Sequence, residues 1–142
     1  MTPHWFKKQR GIRAGYLSGL EESTANDLKA RGIDAPYEAV TIEYGQPAQK
    51  RKYTPDFKLP NGIFIETKGR FTVEDRKKHL YIRESHPELD IRFVFDNPNA
   101  KLRKGSPTSY AMWCDKNGFK WAKKRVPDAW IKEPSNKPKE TP

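Results

Sequence analysis

The apolar positions of the chain alternate between helical and strand-like spacing. Leu20, Thr24, Ala25 and Leu28 recur at helical intervals and fall on one face of a first helix. Ser18-Gly19-Leu20-Glu21 in front of them has the S-x-x-E form of a capping box, and Gly32 stops the helix after Arg31. Residues 37–44 (YEAVTIEY) are rich in β-formers and predict a strand, broken by Gly45-Gln46-Pro47. Thr72, followed by Glu74 and Asp75, opens a second helix that runs to about Ser85 and ends at Pro87. Ile91–Phe95 (IRFVF) is a short apolar strand. Ser106-Pro107 predicts the start of a third helix, which Asn117-Gly118 closes, and Phe119–Ala122 a last edge strand. The predicted order, α-β-β-β-α-β-α-β, belongs to an α/β domain with a mixed β-sheet flanked by helices.

The most informative pattern is YTPDFKLPNGIFIETKG, Tyr53–Gly69, where Pro60-Asn61-Gly62 separates two β-rich runs. A two-residue Asn61-Gly62 turn would set Phe57 against Glu66, an aromatic against a carboxylate. A three-residue loop is the better reading: Pro60 and Asn61 suit a type I turn, and Gly62 supplies the left-handed residue after it. That register pairs Leu59 with Ile63, Phe57 with Ile65, and Asp56 with Glu66. Phe57, Leu59, Ile63 and Ile65 then form a core face. The other face carries Asp56, Glu66 and Lys68, with Lys58 and Phe64 nearer the turn. Directly opposed residues have Cβ atoms roughly 5 Å apart, where two carboxylates repel. A compensating cation is expected, and Mg2+ suits a site of one or two carboxylates completed by water and phosphate oxygens. Lys68, two residues beyond Glu66, points to the same face, where its ammonium could orient a water or stabilise charge on a phosphate. A solvated charged face remains the simpler reading for Lys58. For opposed acids it is the poorer one, since their repulsion would bring no return.

Charge narrows the partner. The 142 residues carry 28 Lys and Arg against 18 Asp and Glu, a net charge of +10, which points to a polyanion such as nucleic acid. No basic amphipathic helix with a broad apolar face argues for a membrane surface. No run approaches transmembrane length, and MTPHWFKKQRG lacks a signal-type apolar segment, so the expected location is the cytoplasm. The single cysteine, Cys114, excludes an internal disulfide and a Cys-rich metal cage, and is expected to be buried in the third helix. Residues 1–17 hold Lys7, Lys8, Arg10 and Arg13 without an acid and read as a flexible basic arm. Residues 18–133 form one domain, and 134–142, rich in Pro and Lys, a disordered tail. Candidate phosphate contacts are the four arm cations, Lys50-Arg51-Lys52, and Lys101, Arg103 and Lys104. Lys123-Lys124-Arg125 is a further basic run. His79 and His86 have no metal-site spacing and read as structural. Trp113, Trp121 and Trp130 read as core or interface anchors, while Trp5 and Phe6 could serve either packing or base stacking.

Pro55-Asp56, nine residues, then Glu66-Thr67-Lys68 matches the PD-(D/E)xK pattern of the restriction-endonuclease-like nucleases. Further blocks resemble a narrower family: SGLEE at 18–22, DRKKHL at 75–80, HPELDIR at 86–92, KGSPTSY at 104–110 and WIKEP at 130–134, together with YTPDF and LPNGIFIETKG. Over residues 11 to 134 the chain resembles phage endonuclease I, the Holliday-junction resolvases of T-seven-like phages. The resemblance implies a restriction-endonuclease-like fold and metal-dependent DNA cleavage, chiefly of four-way junctions, by paired nicks. It places catalytic positions on Glu21, Asp56, Glu66 and Lys68, with Asp56, Glu66 and Glu21 holding Mg2+ or Mn2+, two ions per site. Sequence physics alone makes Glu21 part of the capping box, so its catalytic role rests on the resemblance. The resemblance also implies a domain-swapped homodimer with an extended bridge at about 44–51 (YGQPAQKR), Glu21 being supplied by the partner chain. A Pro-containing bridge does not readily fold back as a tight hairpin. In a phage enzyme the cytoplasm is that of the host bacterium. The alternatives are a general or sequence-specific nuclease of the same fold, and a protein that binds branched DNA without cutting it. The chain departs from the family pattern at both ends, in its first ten or so residues and in a less basic tail.

Overall fold

The computed structural model describes residues 19–46 and 49–135. The arm cations Lys7, Lys8, Arg10 and Arg13, the aromatics Trp5 and Phe6, the cap residue Ser18 and the tail from 136 onward lie outside the described residues.

Helix α1 spans Gly19–Ala30, as its apolar spacing predicts, and buries Glu21, Thr24 and Leu28. Strands β1 (Ile42–Gln46) and β2 (Gln49–Tyr53) pair antiparallel with each other, from Ile42 opposite Tyr53 to Gln46 opposite Gln49. Where an extended bridge was expected at 44–51, the described chain thus folds its two flanks together. Of the strand predicted at 37–44 only the last three residues form it, and it runs on through Gly45 and Gln46, where a break was expected. Glu38 turns with a φ of 50°, and its N–H donates to the carbonyl of Asp56 at 2.9 Å instead of to a strand neighbour.

Strands β3 (Phe57–Lys58) and β4 (Phe64–Lys68) form the predicted hairpin, with Phe57 opposite Ile65. Gly62 closes it at a φ of 95°, a conformation costly for a residue with a Cβ. The three-residue loop is fixed by Leu59 N–H donating to Ile63 O at 2.8 Å and Gly62 N–H to Leu59 O at 2.9 Å. Asn61 also holds the turn from outside, donating through Nδ2 to the carbonyls of Trp130 at 2.8 Å and Glu133 at 3.1 Å.

Helix α2 (Val73–Ser85) starts at a reciprocal capping box: Asp75 N–H donates to Thr72 Oγ1 at 3.1 Å, and Thr72 N–H to Asp75 Oδ2 at 3.0 Å. It returns the chain to β5 (Ile91–Phe95), parallel to β4, and β6 (Trp121–Lys123) follows parallel to β5. The result is a mixed four-stranded sheet, β3-β4-β5-β6, beside the β1-β2 pair. Between β5 and β6, helix α3 (Tyr110–Asn117) begins later than predicted. Ser109, not Ser106, caps it, accepting from Met112 N–H at 3.1 Å, while Gly105 and Ser106 form a turn held by Ser106 N–H on Arg103 O. Gly118 ends it in the left-handed conformation, φ 78°. A short helix absent from the sequence reading, α4 (Asp128–Lys132), closes the described chain.

Alternation along the strands sends side chains to opposite faces. Phe57, Leu59, Ile63, Ile65 and Val94 pack with Leu28 of α1 and Trp130 of α4. Phe93 and Phe95 pack on the other face with Phe71, Tyr110 and Cys114, and Phe64 meets Ile82 of α2 together with Tyr44 and Tyr53. Both faces of the sheet are therefore covered, and every residue of β5 is buried. Cys114 and Trp130 are core residues as expected, and Trp113 and Trp121 flank the core. His79 is fully buried among Tyr53, Phe93 and Phe119. Among the described residues, no helix is long and apolar enough to cross a membrane.

Candidate active site

The hairpin face opposite the first core is not solvated. Helix α2 lies over it, so Glu66 is buried and Lys68 is largely so. Asp56 sits one residue before β3 and keeps only 5% of its surface. Its Oδ2 accepts from both the N–H of Thr67, at 2.8 Å, and the Thr67 hydroxyl, at 2.7 Å. Glu66 Oε1 accepts from the Tyr53 hydroxyl at 2.7 Å, and its other oxygen lies 3.3 Å from the Lys68 ammonium. Lys68 also donates to Asp75 Oδ1 at 3.3 Å. The acid that caps α2 thus steadies this lysine as well.

Glu21 joins the group from α1. It is buried, and its Oε1 accepts from the Tyr37 hydroxyl at 2.7 Å. The Tyr37 ring packs against Phe57, 5.6 Å between centroids, which ties this clamp to the residue after Asp56. Glu21, distant in sequence from the hairpin residues Asp56, Glu66 and Lys68, thus meets them within one chain.

The electrostatics follow from this crowding. Burial, and then the charges of Glu66 and Glu21, push the Asp56 carboxyl well above the usual carboxylate range, although its two bonds from Thr67 pull the other way. Burial disfavours the Lys68 ammonium, but Glu66, Asp75 and Asp56 outweigh it and raise its pKa above the ordinary lysine value. Burial and Glu66 likewise keep the Tyr53 phenol protonated, so it can only donate to that carboxylate. Tyr37 is raised by burial and by Glu21.

This donor set fits a hard divalent cation. Two buried carboxylates that repel each other, with a third acid adding to the repulsion, call for more positive charge than Lys68 alone supplies. Among the described residues, no three acidic, His or Cys side chains are already drawn into an ion-sized cage. A bound ion of this kind supplies Lewis acidity and lowers the pKa of a water in its shell.

Four supporting residues escaped the sequence reading: Tyr37, Tyr53, Thr67 and Asp75. Only Asp75 left a signal, as a helix-capping acid. Of the basic candidates, Lys50, Arg51 and Lys52 lie on β2, and Lys101, Arg103 and Lys104 on an exposed loop after β5. That loop leaves the same end of the sheet as Lys68, where Asp96 N–H donates to Lys68 O at 3.2 Å. His86 is bonded to the carbonyl of Glu43 and holds the β1-β2 pair against α2.

Comparison with known proteins agrees with the geometry. The profile of a family described as phage endonuclease I matches residues 1–141. Endonuclease I of Escherichia phage T7 is 54% identical over 127 residues, covering 88% of this chain and 85% of that protein. Endodeoxyribonuclease 1 of Enterobacteria phage T3 is 56% identical over 119 residues, 84% of this chain and 78% of its own length. The match runs through the hairpin, both flanking helices and the strands that bury the acidic cluster, and the chain belongs to the phage endonuclease I family.

Proposed function

We propose that this protein is a metal-dependent endodeoxyribonuclease that cuts branched DNA, four-way junctions above all, through Glu21, Asp56, Glu66 and Lys68. The observation that carries the reading is the burial of Asp56 and Glu66 together, with the Lys68 ammonium 3.3 Å from Glu66. In this reading Asp56 and Glu66, with Glu21, would hold Mg2+ or Mn2+, which would supply Lewis acidity at the cut phosphate. Two ions per site would suit a displacement in which both the entering and the leaving oxygen gain charge.

The chemistry is hydrolysis of a phosphodiester. A water oxygen forms a bond to phosphorus and gives up a proton, one P–O ester bond breaks, and the departing oxygen is protonated. Lys68 is held between Glu66 and Asp75, so its ammonium is charged and aimed before substrate arrives. It stabilises negative charge that grows on the phosphate. Thr67 fixes the Asp56 carboxylate, Tyr53 fixes Glu66 and Tyr37 fixes Glu21, and such supports hold the ligands in geometry.

The homodimer belongs to the same proposal. Strand pairing between β1 and β2 is symmetric about residues 47 and 48. Two chains that ran straight through 47–48 and lay antiparallel would keep every one of these pairs, each β1 meeting the partner's β2. The contacts of Glu21 with its site would then be made between chains. A symmetric pair of sites gives a physical reason for paired nicks.

Glu66→Ala and Lys68→Ala test the site. Cleavage should fall by at least about 100-fold in each. Junction binding, measured in EDTA by fluorescence anisotropy, should survive, because removing one of these side chains leaves the other basic contacts to the backbone in place. Full cleavage in both variants would remove these residues from the reaction.

A further inference from the structure

Strand β2 and helix α2 enclose a cleft of about 430 Å3 beside the site. Arg51 and Lys52 line one wall, Lys77 and Lys78 the other, and Tyr44 and Tyr81 contribute ring surface. Among the described residues, Glu74 is the one acid in the lining. Glu74, Lys77, Lys78 and Tyr81 stand at helical spacings of three and four, so α2 presents them along one face.

Two observations separate this cleft from an ordinary solvated surface. Several cations of the described chain are held by acids: Arg31 by Asp27 and Asp128, Arg92 by Asp90 and Glu133, Lys124 by Asp96, Arg125 by Asp27. None of Arg51, Lys52, Lys77 and Lys78 has a carboxylate within ion-pair distance among the described residues. Four like charges are thus gathered in one concavity with a single acid, Glu74, among the described lining residues to offset them, and an entering anion would relieve their repulsion.

The cleft also adjoins the acidic cluster through the buried Tyr53. Lys78 Nζ lies 5.3 Å from the centre of the Tyr53 ring, and the Tyr53 hydroxyl is bonded to Glu66. Helix α2 touches the site again through Asp75 and Lys68. A strand whose cut phosphate lay at Glu66 and Lys68 would meet the cleft with its neighbouring phosphates.

We infer that Arg51, Lys52, Lys77 and Lys78 form a binding cleft for the DNA backbone beside the cut, reading charge and not sequence. The inference rests on the nuclease reading above and extends it to α2, whose lysines carry no assigned role. The cleft combines a wall from the β1-β2 pair with one from α2. DNA in it would press the pair against the domain that holds the metal acids.

The test uses the full chain, a four-way junction and titrations in EDTA over a series of salt concentrations. Lys52→Gln/Lys77→Gln removes one cation from each wall and spares Lys78, whose ammonium sits over Tyr53. Each lost phosphate contact lowers the slope of log affinity against log salt by about 0.9, so the double variant should lose about 1.8. In Mg2+ its KM should rise several-fold with little change in kcat. Lys29→Gln/Lys132→Gln, equal in charge and placed on α1 and α4, controls for net charge and should keep the wild-type slope. Equal slopes for the two double variants would overturn the cleft. Failure of the wild-type chain to bind or cut DNA would overturn the nuclease reading, and the cleft with it.

Discussion

Asp56 shows how a single residue can be placed at a cost to stability. Its carboxyl is buried, accepts among the described residues only from Thr67, and faces the charges of Glu66 and Glu21. Its folded-state pKa lies above the unfolded one. The folded state therefore favours the protonated acid, and that stability is lost as pH rises through the folded pKa. In metal-free protein, Asp56→Asn should raise the thermal midpoint at neutral pH by a few degrees, ~1 kcal/mol being worth about 4 °C at this size. The gap to wild type should close on acidification, and Mg2+ should stabilise wild type more than the variant. Thermal melts in EDTA and in Mg2+ at two pH values check both signs. An Asp56→Asn protein less stable than wild type under every condition would show that the carboxylate is not under strain. The hairpin part of the candidate site, Asp56, Glu66 and Lys68, was legible at this scale because the predicted register opposes two acids, although Asp56 sits one residue before β3; Glu21 was added only by resemblance. Tyr37, Tyr53 and Thr67 were not, because their roles depend on hydroxyls meeting carboxylates 11 to 16 residues away in sequence.

Among the elements, the β3-β4 hairpin was the most readable. Pro60, Asn61 and Gly62 fixed the loop length, and loop length fixed which side chains met. The failures have physical causes. Residues 37–41 have strand composition, yet Glu38 turns to bond Asp56, and Tyr37 turns toward Glu21. Ser106-Pro107 looks like a helix start, but Lys101 pairs with Ser109 in an isolated β-bridge and delays it. Helix α4 has only five residues and is anchored by distant groups, through Asn61 and through the buried Arg92 that bonds Glu133. Nothing local announces it. Asn61→Ala should leave the carbonyls of Trp130 and Glu133 without that donor and lower stability by about 2 kcal/mol. Urea unfolding measures this, and a change below about 0.5 kcal/mol would mean that α4 is held by packing alone.

At the scale of the whole molecule, the described chain closes its β1-β2 pair within itself, and its four site residues meet in cis. The proposed dimer makes the same contacts between chains, and complementation distinguishes the two. Mixed after co-refolding, Glu21→Ala and Asp56→Ala chains would form a swapped heterodimer with one site broken twice and the other intact. Each homodimer should be inactive and the mixture should regain a substantial fraction of nicking. With Glu21 used in cis, every site carries a lesion and the mixture stays inactive. Light scattering on the wild-type chain gives the mass independently. The proposed assembly rests on family resemblance alone, since no single-chain pattern distinguishes a hairpin from a bridge with the same register.

The most direct test of the central claim compares one four-way junction with linear duplexes of its arm sequences, each with Mg2+ and each with EDTA. The account predicts paired cuts in the junction, far slower cutting of the duplexes, and none in EDTA. Equal cutting of junction and duplex would contradict selectivity for branched DNA, and undiminished cutting in EDTA would contradict the metal site built on Asp56 and Glu66.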